Sequence, residues 1–302
     1  MSKVKSYLSL IKFSHTIFAM PFAMIGFFLG MLVTASVVPG WHTVIFPIWT
    51  IKYLTKIFIL VILCMIFARS AAMAFNRYLD RKFDAANPRT AIREIPKGII
   101  SANNALIFTI ISCVLFIITC FFINKLCFYL SPVALFVVLG YSYTKRFTAL
   151  CHLVLGLGLS LAPIGAYIAV TGRFDLLPIL FSISVIFWVS GFDIIYALQD
   201  EEFDRSQNLY SMPAWLGKRK ALRVSEIFHV LSASAVIAAG FYGNFGWLYW
   251  IGVAVFVGML IYQHSLVKPN DLRRVNLAFM TANGIASVVF AIFVIADLFI
   301  NY

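Results

Sequence analysis

An all-α polytopic membrane protein is the fold class this sequence predicts: nine transmembrane helices in one bundle around a central cavity. Three observations predict it. Hydrophobic residues fill 62% of the 302 positions and charged residues only 12%, too apolar a mixture for a soluble domain of this size. Nine apolar runs approach or exceed the roughly 20 residues a helix needs to cross a bilayer. Lys and Arg are shared unevenly between the segments that join those runs, as a membrane-spanning chain requires.

The runs are, in order, 15–37, 54–76, 103–123, 126–142, 150–170, 176–198, 222–242, 245–267 and 275–300. The first continues too far for a cleavable signal and lacks a clear small-residue cleavage site. No long polar linker divides the chain, so residues 1–302 read as a single domain. With the N-terminus in the cytoplasm, the inside segments hold Lys3, Lys5 and Lys12, the seven basic residues from Arg69 to Lys97, Lys145 and Arg146, the five from Arg205 to Arg223, and Lys268, Arg273 and Arg274. The outside holds only Lys52, Lys56, Lys125 and Arg173. Nine spans then send the C-terminus outside. Localisation is expected in a bacterial inner membrane, and the net charge of +12 reflects orientation in lipid; no nucleic-acid partner is implied.

Other residues carry structural readings. Cys64, Cys113, Cys120, Cys127 and Cys151 lie in or beside apolar runs without zinc spacing, as small membrane-buried residues do. His42, His152, His229 and His264 make no metal set, and His15 reads as an interface histidine. The stretch GLGLSLAPIG (156–165) suits close helix packing. Trp41, Trp49, Trp247 and Trp250 read as anchors at the outer interface.

The chemistry concentrates in two acidic stretches, each ending an apolar run. NRYLDRKFD (76–84) spaces Asn76, Asp80 and Asp84 four apart, on one face of a helix. DIIYALQDEEFD (193–204) spaces Asp200 and Asp204 the same way. A shift of 120 residues superposes Asp80 on Asp200 and Asp84 on Asp204, and IPKG (95–98) is echoed by MPAWLG (212–217). Diverged four-helix repeats, about 57–170 and 176–300, would explain this. Both stretches fall on the cytoplasmic side, after the second and sixth spans. Basic residues crowd each loop: Arg77, Arg81, Lys82, Arg89, Arg93 and Lys97 in the first, Lys218, Arg219 and Lys220 after the second. Carboxylates beside Lys and Arg suit a complex of Mg²⁺ with a polyanion, the metal taking one or two carboxylates plus phosphate oxygens and the cations taking the rest. Asp193, two turns deeper in the apolar run, is expensive to bury and is a functional candidate on that ground. Tyr196 lies between Asp193 and Asp200 on nearly the same face.

These residues, with NPRT (87–90), IPKG (95–98) and GYSYTKRFT (140–148), resemble the UbiA superfamily of membrane prenyltransferases, over nearly the whole chain. YTKRFT and the D-x-x-Y lead into the second motif resemble most its 4-hydroxybenzoate polyprenyltransferase branch. The resemblance implies a nine-helix bundle whose central cavity binds a polyprenyl diphosphate through two Mg²⁺ ions. It implies Asn76, Asp80 and Asp84 as ligands of one ion, Asp200 and Asp204 of the other, Lys145 as a diphosphate contact, and Arg77, Arg89 and Arg93 as anion contacts for the diphosphate or the acceptor carboxylate.

The expected reaction transfers a polyprenyl group to a phenolic aromatic acid of the 4-hydroxybenzoate type, ortho to the hydroxyl, in quinone biosynthesis. Asp193 is a candidate base. Tyr141, Tyr143, Tyr196 and Phe75 are candidates to shield the allylic cation, and the lipid-soluble tail leaves through an apolar opening. One stretch departs from the ubiquinone-type opening: IKFSHTIFAMPFAMIG (11–26) resembles enzymes of menaquinone routes, so a naphthoate acceptor such as 1,4-dihydroxy-6-naphthoate stays open. A cation transporter with acidic gates is the alternative from another class, although its sites would be expected near the bilayer midplane.

Overall fold

The computed structural model describes residues 3–11, 18–36 and 48–301. His15, Trp41 and His42 lie outside these, as does most of the first half of the 11–26 stretch. The described residues are almost entirely helical: α1 (Lys3–Leu10), α2 (Met20–Ser36), α3 (Ile48–Leu79), α4 (Arg81–Ala86), α5 (Ala102–Ile123), α6 (Lys125–Thr144), α7 (Cys151–Thr171), α8 (Leu176–Ala197), α9 (Glu201–Ser206), α10 (Met212–Leu216), α11 (Lys218–Tyr242), α12 (Trp247–Leu266) and α13 (Asn283–Asn301). A 3₁₀ turn (Leu198–Asp200) joins α8 to α9, and a π-helical segment (Leu277–Ala282) leads into α13. Among the described residues, eight helices are long and apolar enough to cross a membrane, and α2 is a shorter apolar helix. Each expected run overlaps one of these helices, with ends that differ by up to eight residues (275 against Asn283 for the last).

Local chemistry sets the ends of the helices. Ser101 caps α5 by accepting from the Asn104 amide at 3.2 Å. Asn124 caps α6 by accepting from the Cys127 amide at 2.8 Å, and its own side-chain amide donates to the Ile168 carbonyl of α7 at 2.9 Å. That second bond pins the α5–α6 turn onto α7. Gly172, at φ +70°, ends α7 in the left-handed conformation that costs glycine little.

Lipid tails are as apolar as Leu, so burying apolar surface contributes little here and close packing contributes more. The small residues act accordingly. A Cβ on Gly26 of α2 would stand 2.0 Å from the Pro163 carbonyl oxygen of α7, and one on Gly156 would stand 2.3 Å from that of Ile186 in α8. The GLGLSLAPIG stretch is thus a packing face, as its composition suggested. The aromatic core lies between α2, α8, α12 and α13, around Phe22, Trp188, Phe256 and Phe290. The indole of Trp188 donates to Asn283 at 2.9 Å, which satisfies its one buried donor. On the outer faces of α5 and α6, Ile107, Ile111, Phe121, Tyr129 and Phe136 are exposed, as lipid contact requires.

Both acidic stretches leave the bundle at one end. Asp80 breaks α3 from the six-residue α4 (φ −87°, ψ 4°), and Asp200 precedes the six-residue α9 (φ −107°, ψ 5°). The offset of 120 residues therefore holds for the backbone at both junctions. The two glycines of the Pro–Gly echo, Gly98 and Gly217, both have positive φ and both shortly precede a long helix.

Candidate active site

A cavity of about 900 Å³ runs into the bundle from the end where the acidic stretches lie. At that end it is lined by Asn76, Arg77, Asp80, Asp84, Arg89, Arg93, Lys145, Asp193, Tyr196, Asp200 and Asp204. Deeper in, α3, α5, α6 and α7 line it with Cys64, Phe116, Cys120, Cys127, Leu130 and Leu159. One end is ionic and the other is hydrocarbon, the polarity of an amphiphile with an anionic head.

The last turn of α3 places Asn76 and Arg77, and the chain keeps helical hydrogen bonding across the break, from the Asp80 amide to the Asn76 carbonyl and from the Asp84 amide to the Asp80 carbonyl. Asn76, Asp80 and Asp84 therefore stay near one face. Asp80 is 2% exposed. One of its oxygens accepts from Arg146 at 2.8 Å, and the other from Lys145 at 2.8 Å and Asn76 at 3.2 Å. Asp84 is buried too. Its Oδ1 accepts from Arg93 at 2.5 Å, while its Oδ2 lies 4.0 Å from Arg77 and takes no hydrogen bond from any described residue.

The second motif faces the first. Asp200 accepts from the Asn87 side-chain amide at 3.2 Å and from Arg89 Nε at 2.9 Å, with a second, ionic contact to Arg89 Nη2. Arg89 Nη1 also donates to the Tyr196 hydroxyl at 2.9 Å. Burial alone would lower the Arg89 pKa; the hydrogen bond and charge of Asp200, with Tyr196, more than offset it and hold the guanidinium above its ordinary value. Asp204 accepts from Ser211 at 2.8 Å. Asp193, on α8, accepts from His152 of α7 at 2.7 Å.

Eleven of the twelve site residues expected from the sequence thus meet in one cavity; Tyr143 does not. It is 47% exposed and packs against Phe75 (centroids 5.9 Å apart), and neither ring lines the cavity. The reason is helical geometry: Tyr143 follows Tyr141 by two residues, about 200° around α6, and Tyr141 faces the cavity. Of the candidate shielding rings, Tyr141 and Tyr196 remain, with Phe192 and Phe279 beside them. The ring of Phe279, carried by the π-helical segment, sits 4.3 Å from that of Tyr196.

Sequence reasoning missed the roles of Asn87, Arg146, His152 and Ser211. Asn87 and Arg146 lie within NPRT and YTKRFT, whose other basic residues were singled out. His152 sits in an apolar run, with no local cue to its partner.

The fit to a divalent cation rests on the donor set. No group of three His, Cys, Asp or Glu side chains that could hold a metal ion occurs among the described residues. Mg²⁺ commonly takes one or two carboxylates and fills its sphere with phosphate and water. The buried, unbonded Oδ2 of Asp84 is a donor of the kind it would use.

The fold and cavity thus define a polytopic helical membrane protein with a site for an amphiphilic anion. Residues 19–285 match the UbiA prenyltransferase family. The chain is 30% identical over 237 residues to a 4-hydroxybenzoate octaprenyltransferase of Nitrosospira multiformis, covering 78% of this chain and 81% of that one. It is 31% identical over 227 residues to that of Paraburkholderia phymatum, covering 75% and 78%. The apo structure of a UbiA homolog from Aeropyrum pernix K1 superposes with a TM-score of 0.76 at 27% identity, over 95% of this chain and 98% of that one. A UbiA homolog from Archaeoglobus fulgidus, bound to GPP and Mg²⁺, shares the fold at 19% identity, with a TM-score of 0.71 over 98% and 100%. The chain belongs to the UbiA prenyltransferase family. It is a prenyltransferase of the 4-hydroxybenzoate polyprenyltransferase-like branch, which sets aside the cation-transporter alternative.

Proposed function

We propose that this enzyme transfers a polyprenyl group from polyprenyl diphosphate to a phenolic aromatic acid of the 4-hydroxybenzoate type, at the carbon ortho to the hydroxyl, as a step in quinone biosynthesis. The observation that carries this reading is the cavity's polarity: paired acidic and basic motifs at one end, hydrocarbon walls at the other.

Asn76, Asp80 and Asp84 would hold one Mg²⁺ ion, and Asp200 and Asp204 a second. A metal held by these residues would supply positive charge against that developing on the diphosphate as the allylic C–O bond breaks. Lys145, Arg77, Arg89 and Arg93 bind the remaining anionic oxygens, of the diphosphate or of the acceptor carboxylate. An Arg or Lys engaged with one carboxylate oxygen keeps further N–H donors for this. The bonding pair of the broken C–O bond leaves with the diphosphate. The ring carbon attacks the allylic cation, and the proton on that carbon is then lost to restore aromaticity. Asp193 takes a proton, from the phenol or from the ring. Tyr196 and Tyr141 face the cation with their π-clouds. The hydrocarbon walls exclude the water that would otherwise capture it.

The 11–26 stretch favours a second reading, the same transfer to a naphthoate such as 1,4-dihydroxy-6-naphthoate in menaquinone biosynthesis. One experiment separates the two. Membranes containing the protein are given geranyl diphosphate, Mg²⁺ and a panel of phenolic acids, and products are identified by mass. A prenylated 4-hydroxybenzoate supports the first reading, and a prenylated naphthoate alone supports the second. Absence of any prenylated aromatic product, with active protein verified in the membrane, ends both.

A further inference from the structure

We infer that His152 is a positioning residue, which fixes the carboxylate of Asp193 so that one oxygen is anchored and the other faces the reacting ring. The inference rests on the reading of Asp193 as the base. His152 is 3% exposed and is the second residue of α7. Its Nδ1 lies 2.7 Å from Asp193 Oδ2. Its Nε2 accepts from the backbone N–H of Met212, at 3.2 Å. A ring nitrogen that accepts an amide proton carries none of its own, so the imidazole proton resides on Nδ1 and is donated to Asp193.

This matters because a carboxylate rotates broadly about its last torsion. With Oδ2 held, rotation stops and Oδ1 is left over. Oδ1 takes no hydrogen bond from any described residue, and the Asp193 side chain is 25% exposed, on the cavity wall. His152 is held in turn at two points, its ring by the Met212 amide and its backbone beside Ser190. The Ser190 hydroxyl of α8 lies 3.1 Å from the His152 carbonyl oxygen and 2.6 Å from that of Ile186, between which its one proton is shared. Met212 follows Ser211, whose hydroxyl donates to Asp204. His152 therefore links Asp193 to the loop that carries the second acidic motif. A bare apolar neighbour would leave the carboxylate free to turn Oδ1 away from a bound ring.

The test uses the full chain in membranes, with geranyl diphosphate, Mg²⁺ and whichever acceptor of the panel is turned over. His152→Leu keeps the bulk and removes the donor. His152→Asn keeps an N–H close to the position of Nδ1. The Leu variant is expected to lose at least about tenfold in kcat while KM for geranyl diphosphate stays within about twofold, and the Asn variant to recover to within about threefold of the parent. In an Asp193→Asn background, His152→Leu should cost nothing further, because the two residues act as a unit. Parent-like kcat in the Leu variant, equal damage in the Leu and Asn variants, or additive losses in the double variant each overturn the inference. A packing role alone would lower the melting temperature of the Leu variant and show no rescue by Asn. If Asp193→Asn itself keeps parent-like kcat, the base assignment and this inference fall together. If it loses activity and His152→Leu does not, only the inference falls.

Discussion

Asn87 and Asp200, 113 residues apart in the chain, are joined by a side-chain hydrogen bond of 3.2 Å. That bond makes one site of two loops. Asn87 ends the short helix of the first acidic stretch, and Asp200 opens that of the second. Two residues on, Arg89 grips the same carboxylate through two nitrogens. The first loop thus supplies its own carboxylates and also the clasp for Asp200 of the second.

The clasp predicts an asymmetry between charge and shape at position 89. Lys keeps the charge of Arg but loses the planar fork that spans both oxygens of Asp200 and reaches Tyr196. A charge-assisted hydrogen bond contributes about 1.5–3 kcal/mol. Arg89→Lys is therefore expected to lower kcat/KM for the prenyl diphosphate about tenfold to a hundredfold. Steady-state kinetics would check it, and a parent-like value would show that the clasp does not matter for turnover.

Asp80 and Asp200 carry the metal proposal most directly. Asp80→Ala and Asp200→Ala should each abolish turnover while the chain still folds and inserts. Lys145 and Arg146, which lose their partner in the first variant, remain 31% and 26% exposed in the side chain, so neither is left stranded in a dry interior. Product formation, compared with the amount of monodisperse protein, measures both halves of the expectation. Near-normal activity in either variant would remove that Asp from the ligand set.

Tyr143 supplies the complementary prediction. It faces outward beside Phe75, so Tyr143→Phe should leave kcat and KM within about twofold of the parent. The same change at Tyr141 removes a hydroxyl from the cavity wall and should alter at least one of them. Kinetics of the pair would show whether the face of α6 is assigned correctly.

The bundle was legible because lipid imposes a length on every span; no tertiary information was needed to find runs that fit it. The acidic motifs were legible because carboxylates at the ends of apolar runs are costly without a partner, and their fourfold spacing put them on one face. What stayed hidden is pairing across the bundle. Nothing local says that Arg146 bonds Asp80, that Asn87 reaches Asp200, or that an imidazole in an apolar run meets Asp193. Tyr143 fails for the opposite reason: it belongs to a motif whose Tyr141, Ser142 and Lys145 face the cavity, and a motif carries no information about which side of the helix each member occupies. The π-helical segment before α13 has no composition cue at all, yet it sets Phe279 against Tyr196.

Helix packing gives a prediction free of catalysis. Gly26→Ala sets a methyl 2.0 Å from the Pro163 carbonyl oxygen, a backbone atom that cannot step aside. Overpacking of this kind costs about 1–3 kcal/mol. Gly140 of α6 has nothing within 4 Å of a built Cβ, so Gly140→Ala meets no clash and gains about 0.5–1 kcal/mol from a less flexible unfolded helix. Thermal unfolding in detergent should lower the midpoint for the first variant and hold or raise it for the second. The reverse order would contradict the α2–α7 contact.

A dependence on Mg²⁺ is predicted from charge balance. Asp80, Asp84, Asp193, Asp200 and Asp204 line the cavity with Arg77, Arg89, Arg93 and Lys145, and Arg146, off the lining, pairs with Asp80. Carboxylates and basic groups are equal in number, and most are already paired with each other at 2.5–2.9 Å. A diphosphate brings several more negative charges into a site of low dielectric, where unbalanced charge is costly. Arg69, deeper on the same wall, adds a single positive charge. The deficit calls for added cations, and the buried, unbonded Oδ2 of Asp84 is a donor ready to take one. Chelation with EDTA should therefore abolish both binding of geranyl diphosphate and product formation, and added Mg²⁺ should restore them. The restoration should be lost in Asp84→Asn, whose amide keeps the shape of the side chain but not its charge. Geranyl diphosphate binding that survived chelation at parent affinity would mean that the basic residues alone balance the diphosphate.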